Sequence, residues 1–329
     1  MQAQRSLTSE TEAHLTESCK LRRAHVDWKL RTRTLPLGRR TLIMGVVNIT
    51  PDSFSDGGSF ADPEAAIAHA LKLLDEGADL LDLGAESTRP GVSVGDGVSS
   101  TPGVSAVPDV SAAQEQARLL PAVKGILAAR PHAILSIDTY KSETAQAALQ
   151  AGAEIINDVS GLSWDPNLAR VCADARCGLV LMHTRGRPAE WKAQSKLEAG
   201  ELLAGIKSGL AASLNTATAA GVDPDAIVLD PGYGFGKRGE ENFALLSRQS
   251  ELLALNRPLL AGLSRKSFLG HALAPLFSGK PAPVGSRDNA GIAALVAAIL
   301  NGASLVRVHR VRESVEAALI ADAIVDQIV

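Results

Sequence analysis

Eight short apolar runs rich in branched side chains recur along this chain, and nearly every one ends in polar residues. They occupy 41–49, 79–84, 133–138, 154–159, 178–183, 226–230, 259–263 and 304–308. Between most of them lie Ala-rich amphipathic segments of helical period, such as DPEAAIAHALKLLDEG and KSETAQAALQAG. A last one, ESVEAALIADAIVDQIV, follows the eighth run. Strands that are apolar on both faces and alternate with helices belong to a parallel sheet covered by those helices. Eight such units over ~290 residues predict an α/β fold, a (β/α)8 TIM barrel, rather than an open doubly wound sheet.

Composition narrows the classes. With 46% hydrophobic and 21% charged residues, a chain of 329 can bury a large core. No window approaches the ~18 consecutive apolar residues of a membrane helix, so no membrane partner is expected. The first thirty residues lack an apolar h-region, which argues against a secretory signal. Three cysteines (Cys19, Cys172, Cys177) without a CxxC pair predict a cytoplasmic protein with neither disulfide scaffold nor zinc site. A net charge of −3 and only 3% aromatic residues oppose nucleic-acid binding.

Two stretches break the rhythm. Residues 1–40 hold nine Lys/Arg against four Asp/Glu, and before about Leu35 no periodicity is sustained. This predicts a flexible polar extension over 1–35, with the barrel domain at 36–329. VSVGDGVSSTPGVSAVPDVSAA, 92–113, reads as a flexible loop inserted in the barrel.

The polar residues that end the runs are Asn48 with Thr50, Glu86–Arg89, Asp138, Asn157 with Asp158, His183, Asp230, Ser264–Lys266, and Arg307 with His309. In a parallel barrel these ends converge on one rim, where enzymes of this fold keep their active sites. One such group is as often a loop or helix cap; eight together predict a site. Asp138, Asp230 and Asn157, with the cation Lys266, suit a flat, donor-rich heterocycle such as an amino-pyrimidinone. Arg89, Arg307 and His309 form a separable cationic group, which suits a phosphate or diphosphate. Arg307 and His309 alternate along one strand, which puts both on one face. TPDSFSDGG, 50–58, can serve as a mobile lid or as an ordinary connection. PGYGFGK, 231–237, lacks the spacing of a phosphate-binding loop and is a weak nucleotide signal.

MGVVNITPDSFSDGG (44–58), GADLLDLGAESTRPG (77–91), ILSIDTYKSE (134–143), AEIINDVSG (153–161), LVLMHTRG (179–186), LDPGYGFGK (229–237), GLSRKSFLG (262–270) and VRVH (306–309) resemble dihydropteroate synthase, in order and in register. The likeness runs from about Leu42 to the C-terminus. It implies a (β/α)8 barrel, usually a homodimer, that acts in folate biosynthesis. The implied reaction is a transfer: 6-hydroxymethyl-7,8-dihydropterin diphosphate condenses with 4-aminobenzoate, giving dihydropteroate and diphosphate.

Residue by residue, the resemblance implies that Asp138, Asn157, Asp230 and Lys266 hold the pterin. Met182 and Phe235 line its face, and Gly262 allows close backbone approach. Asn48 binds Mg2+ through a diphosphate oxygen, while Arg89, Arg307 and His309 take the anion. Thr50, Pro51, Phe54, Thr88 and Ser264 form the aminobenzoate pocket, the slot a sulfonamide would occupy. The implied mechanism is dissociative: diphosphate leaves, a pterin-stabilised cation forms, and the amine attacks. The chain departs from the family at Arg310, where Asp is common, and in the length of 1–35 and 92–113. Two rival readings are a corrinoid-linked pterin methyltransferase domain and an inactive pterin-binding paralogue. The first should not need the TPDSFSDGG and SRK strings. The second should have lost Lys266, Arg307 or the lid.

Overall fold

The computed structural model describes residues 23–50, 62–86 and 110–327. Eight parallel strands close a barrel: β3 (Leu42–Asn48), β4 (Leu80–Gly84), β5 (Leu135–Asp138), β6 (Ile155–Asp158), β7 (Gly178–Met182), β8 (Ile227–Asp230), β9 (Leu259–Ala261) and β10 (Ala303–Val308). They pair in chain order, and β10 returns to β3 with Arg307 opposite Met44. The (β/α)8 expectation is met.

The helices surround the barrel: α1 (Pro63–Asp75), α2 (Ala112–Ala129), α3 (Ser142–Gln150), α4 (Leu168–Ala175), α5 (Ala199–Ala219), α6 (Gly239–Ser247), α7 (Ser267–Ala272), α8 (Asp288–Leu300) and α9 (Val311–Val325). Their starts are written locally. Asp62 caps α1 by accepting from the Glu64 N–H, with Pro63 in the first turn. Ser111 and Gln114 form a reciprocal capping box on α2. The expected loop 92–113 therefore ends sooner, because its last residues start a helix. Residues 92–109 lie outside the described part of the chain. Among the described residues, no helix is long and apolar enough to cross a membrane.

Strand alternation sorts the side chains into two cores. Ile43, Leu81, Leu83, Ile137, Ile156, Leu181 and Val306 face outward and join the large core beneath the helices. Leu42, Met44, Leu80, Ile134, Ile155, Val180, Val228, Leu260 and Leu305 face the barrel interior and form a second, smaller cluster.

Trp28, Leu30 and Leu37 complete that inner cluster, and they correct the expectation of a flexible extension for residues 23–35, while 1–22 lie outside the described residues. β1 (Val26–Lys29) and β2 (Thr34–Leu37) pair as an antiparallel hairpin, Trp28 opposite Leu35. Trp28 is 1% exposed, and its indole N–H donates to the Ala226 carbonyl at 2.8 Å. The hairpin plugs the N-terminal mouth of the barrel. Each strand is only four residues long and contributes one or two apolar side chains, too few for a periodic signal in the sequence. Its order comes from the barrel floor. Buried Arg23 continues the tie, donating to Thr41 Oγ1 at 2.8 Å and pairing with Asp322 of α9.

Candidate active site

Above the apolar floor, the inward positions of the same strands turn polar. Leu80 is followed by Asp82 and Gly84, Ile134 by Ser136 and Asp138, and Ile155 by Asn157. Val180 is followed by Met182, Val228 by Asp230, Leu260 by Gly262, and Leu305 by Arg307 and His309. Asn48, six residues on from Leu42, ends β3 on the same face, beside Gly84 of β4.

The two glycines leave the interior open. A Cβ on Gly84 would sit 3.5 Å from Asp138 Oδ2, and one on Gly262 would meet Asp230 Oδ2 and Arg307 Cβ at 3.9 Å. Asp230 is 6% exposed and takes the Gly232 N–H at 2.7 Å. Met182 lies opposite it in the β7–β8 register. Lys266 Nζ lies 4.0 Å from the centre of the Phe235 ring, which meets Trp191 edge-on at 5.1 Å. His309 Nδ1 and Ser264 Oγ are 3.0 Å apart. The structure thus brings together Asn48, Asp138, Asn157, Met182, Asp230, Phe235, Gly262, Ser264, Lys266, Arg307 and His309. Thr50 is half-buried just beyond β3. Pro51, Phe54, Thr88 and Arg89 lie outside the described residues.

Arg307 is placed differently from the sequence expectation. It is not separable from the acceptors. Its Nε donates to Asp82 at 2.5 Å and its Nη2 to Asp138 at 2.8 Å, so it sits inside the carboxylate cluster. The polar run-ends are also divided by parity. Asp158, next to inward Asn157, faces away and caps its own loop by accepting from the Ser160 and Leu162 N–H groups. His183, next to inward Met182, packs toward Gly209 of α5.

Burial shapes the charges. Burial pushes the Asp138 carboxyl up to about 7; Arg307 pulls against this, while Asp82 and Glu115 add to it. Asp230 is also raised by burial, opposed by the Gly232 N–H and Lys266. Burial, with Lys237 and Arg185 nearby, lowers His183 to about 2 and keeps its imidazole neutral.

Sequence reading missed three members of this architecture. Asp82 and Ser136 lie mid-run rather than at run ends; the only clue is that Asp82 interrupts the apolar string LLDLG. A carboxylate in a strand buried on both faces must find partners. Lys237, 6% exposed, donates to the carbonyls of Gly232 at 2.7 Å, His183 at 3.2 Å and Phe235 at 3.3 Å. Burial lowers it to about 7. It ties together a loop whose Gly232, Gly234 and Gly236 all have positive φ. These glycines serve a backbone path: a Cβ on Gly232 would strike the His183 carbonyl at 1.9 Å.

Residues 44–309 match the family described as pterin binding enzyme. A dihydropteroate synthase of Mycobacterium leprae is 42% identical over 275 residues, covering 84% of this chain and 90% of its own. This chain belongs to the dihydropteroate synthase family. Solved relatives agree. The Clostridium difficile enzyme, determined with pteroic acid, superposes with a TM-score of 0.74 at 39% identity, covering 88% of this chain and 98% of its own. The Xanthomonas albilineans enzyme with 4-aminobenzoic acid gives 0.76 at 37%, covering 92% and 98%.

Proposed function

We propose that the polar upper half of the barrel interior divides the family's reaction between a pterin clamp and an anion-release group. The reaction joins 6-hydroxymethyl-7,8-dihydropterin diphosphate to 4-aminobenzoate and releases diphosphate. One observation carries the clamp. Asp138, Asn157 and Asp230 converge as acceptors, with Lys266 as donor, around space that Gly84 and Gly262 leave open. An amino-pyrimidinone presents donors along one edge and a carbonyl acceptor beside them, which is the complement of that set.

Arg307 and His309 take the diphosphate. A guanidinium has five N–H donors, so Arg307 retains donors beyond those used on Asp82 and Asp138. The positive charges stabilise the leaving anion as it forms, and the developing pterin cation lies beside the carboxylates. The aromatic amine then attacks. Among the described residues no group of three or more His, Cys, Asp or Glu could hold a metal ion. What fits is Mg2+ arriving with the diphosphate, Asn48 supplying an amide oxygen. When bound, such an ion would neutralise charge on the leaving group.

The aminobenzoate pocket, which a sulfonamide would share, uses Ser264 and Thr50 with residues beyond the described segments. A cytoplasmic homodimer completes the proposal. The dimer, though not the compartment, is supported by α9, which leaves Leu319, Ile320 and Ile324 exposed on its outer face.

The division of labour is tested with Arg307→Ala. Diphosphate release should slow about 100- to 1000-fold, with or without aminobenzoate. Release at the parental rate would remove Arg307 from the anion group.

A further inference from the structure

Asp82 has no role in the assignments above, yet three side chains of the barrel interior donate hydrogen bonds to it. It is fully buried. Its Oδ1 accepts from Ser136 Oγ at 2.6 Å; its Oδ2 accepts from Asn157 Nδ2 at 3.0 Å and Arg307 Nε at 2.5 Å. The three donors come from β5, β6 and β10, so one carboxylate of β4 gathers three other strands. Two of those donors belong to residues that the pterin clamp and the anion group need.

We propose that Asp82 is a positioning residue that sets which face Asn157 and Arg307 present to the substrate. The inference rests on the pterin reading of the site and deepens it.

The reasoning for Asn157 does not depend on telling its oxygen from its nitrogen. An ionised carboxylate can only accept, so the amide group turned toward Asp82 must be the NH2. The Asn157 carbonyl is left to face away from Asp82, as an acceptor. The interior then offers acceptors from Asp138, Asn157 and Asp230, which matches the donor edge of a 2-amino heterocycle and disfavours a 2-oxo one. For Arg307, Nε on Asp82 and Nη2 on Asp138 fix the guanidinium plane at two points, on β4 and β5. A guanidinium held by one carboxylate could swing; held by two it is preorganised.

Asp82 also acts on Asp138 through charge. The charged groups around Asp138 are Arg307 of β10, Asp82 of β4, Glu115 of α2 and Lys266 before α7. Asp82 and Glu115 make a further negative charge there unfavourable; Arg307 and Lys266 do the opposite. Asp82 shares Arg307 with Asp138 as well. Replacing it by the isosteric amide removes a repulsive charge and leaves Arg307 to Asp138 alone. Both changes favour ionised Asp138 at lower pH.

The experiment measures binding of 6-hydroxymethylpterin and its 2-oxo analogue, 6-hydroxymethyllumazine, by calorimetry between pH 5.5 and about pH 8.5, spanning the Asp138 titration near 7. The unaltered protein should prefer the pterin and bind it better as pH rises through that value. In Asp82→Asn, pterin affinity should fall about 10- to 100-fold at the upper end. The preference over the lumazine should shrink, because Asn157 is free to turn its NH2 inward. The pH midpoint of binding should move down. A merely structural loss would lower affinity for both heterocycles alike and leave the midpoint in place, and that outcome overturns the proposal. Should Asp82→Asn not fold, Ser136→Ala removes only one bond to Asp82 and should show the same shrinking preference with a smaller loss. An unchanged preference there also overturns it. If the unaltered protein binds neither heterocycle, the pterin reading itself fails.

Discussion

The two halves of the barrel interior are built by the same eight strands and the same alternation, yet they are chemically opposite. The lower half, from Leu42, Leu80 and Ile134 round to Leu305, is apolar and closed by Trp28 of the hairpin. The upper half carries buried Asp82, Asn157 and Asp230 with half-buried Asp138 and Arg307, and is opened by two glycines. A step of two residues along a strand separates them. The lower half gains stability from every side chain it buries, at about 1.5–3 kcal/mol for a large apolar group. The upper half spends some of that gain on keeping charge out of water. The difference shows how a barrel separates stability from binding without a second domain.

Changes on either side of the boundary should have opposite signatures. The largest stability effect is expected from Trp28→Ala, which removes the plug from the lower half. It should cost about 3–5 kcal/mol in denaturant unfolding. Pterin affinity per folded molecule should stay near the parental value. A large affinity loss in the folded fraction would mean that the hairpin shapes the upper half too.

Asp230→Asn should do the reverse. Exchanging an acceptor for a group that also donates places N–H against pterin N–H. Loss of a charged hydrogen bond costs about 1.5–3 kcal/mol, or roughly 10- to 150-fold in affinity. Because burial raises Asp230, its charge opposes folding, so the variant should be no less stable than the parent. Unchanged pterin affinity by calorimetry would exclude Asp230 from the clamp.

The pH dependence of stability should also separate the two halves. Burial raises Asp138 to about 7 and Asp158 to about 6, both well above the ordinary range of an exposed aspartate, so the folded state holds more protons than the unfolded chain between that range and those values. The stability they contribute is complete below the unfolded value and is lost as pH rises through about 6 to 7. Pterin binding should run the other way, gaining as Asp138 ionises. Urea titrations at pH 5 and about pH 8, set beside calorimetry at the same values, would show the two trends crossing. Parallel trends would break the contrast between the halves.

Much of this was legible in the chain. Eight apolar runs ending in polar groups are a local, repeated pattern, and repetition is what a parallel barrel requires. The acceptors Asp138, Asn157 and Asp230 could be chosen because strand ends in such a barrel must meet at one rim. Parity was the first thing not read: Asp158 and His183 also end runs, but each lies one residue out of step with the interior and serves its own loop or helix.

What the sequence by itself determined, then, is everything that depends on neighbours in the chain: strand and helix alternation, helix caps such as Asp62 and Ser111, the rim, and the family. The tertiary structure alone decided what depends on partners far apart. Asp82 meets Ser136 across 54 positions, Asn157 across 75 and Arg307 across 225. Trp28 finds the Ala226 carbonyl across 198. The physical reason is common to all four. A buried polar group is tolerated only when its hydrogen bonds are satisfied, and in a closed barrel the groups that satisfy them come from other strands.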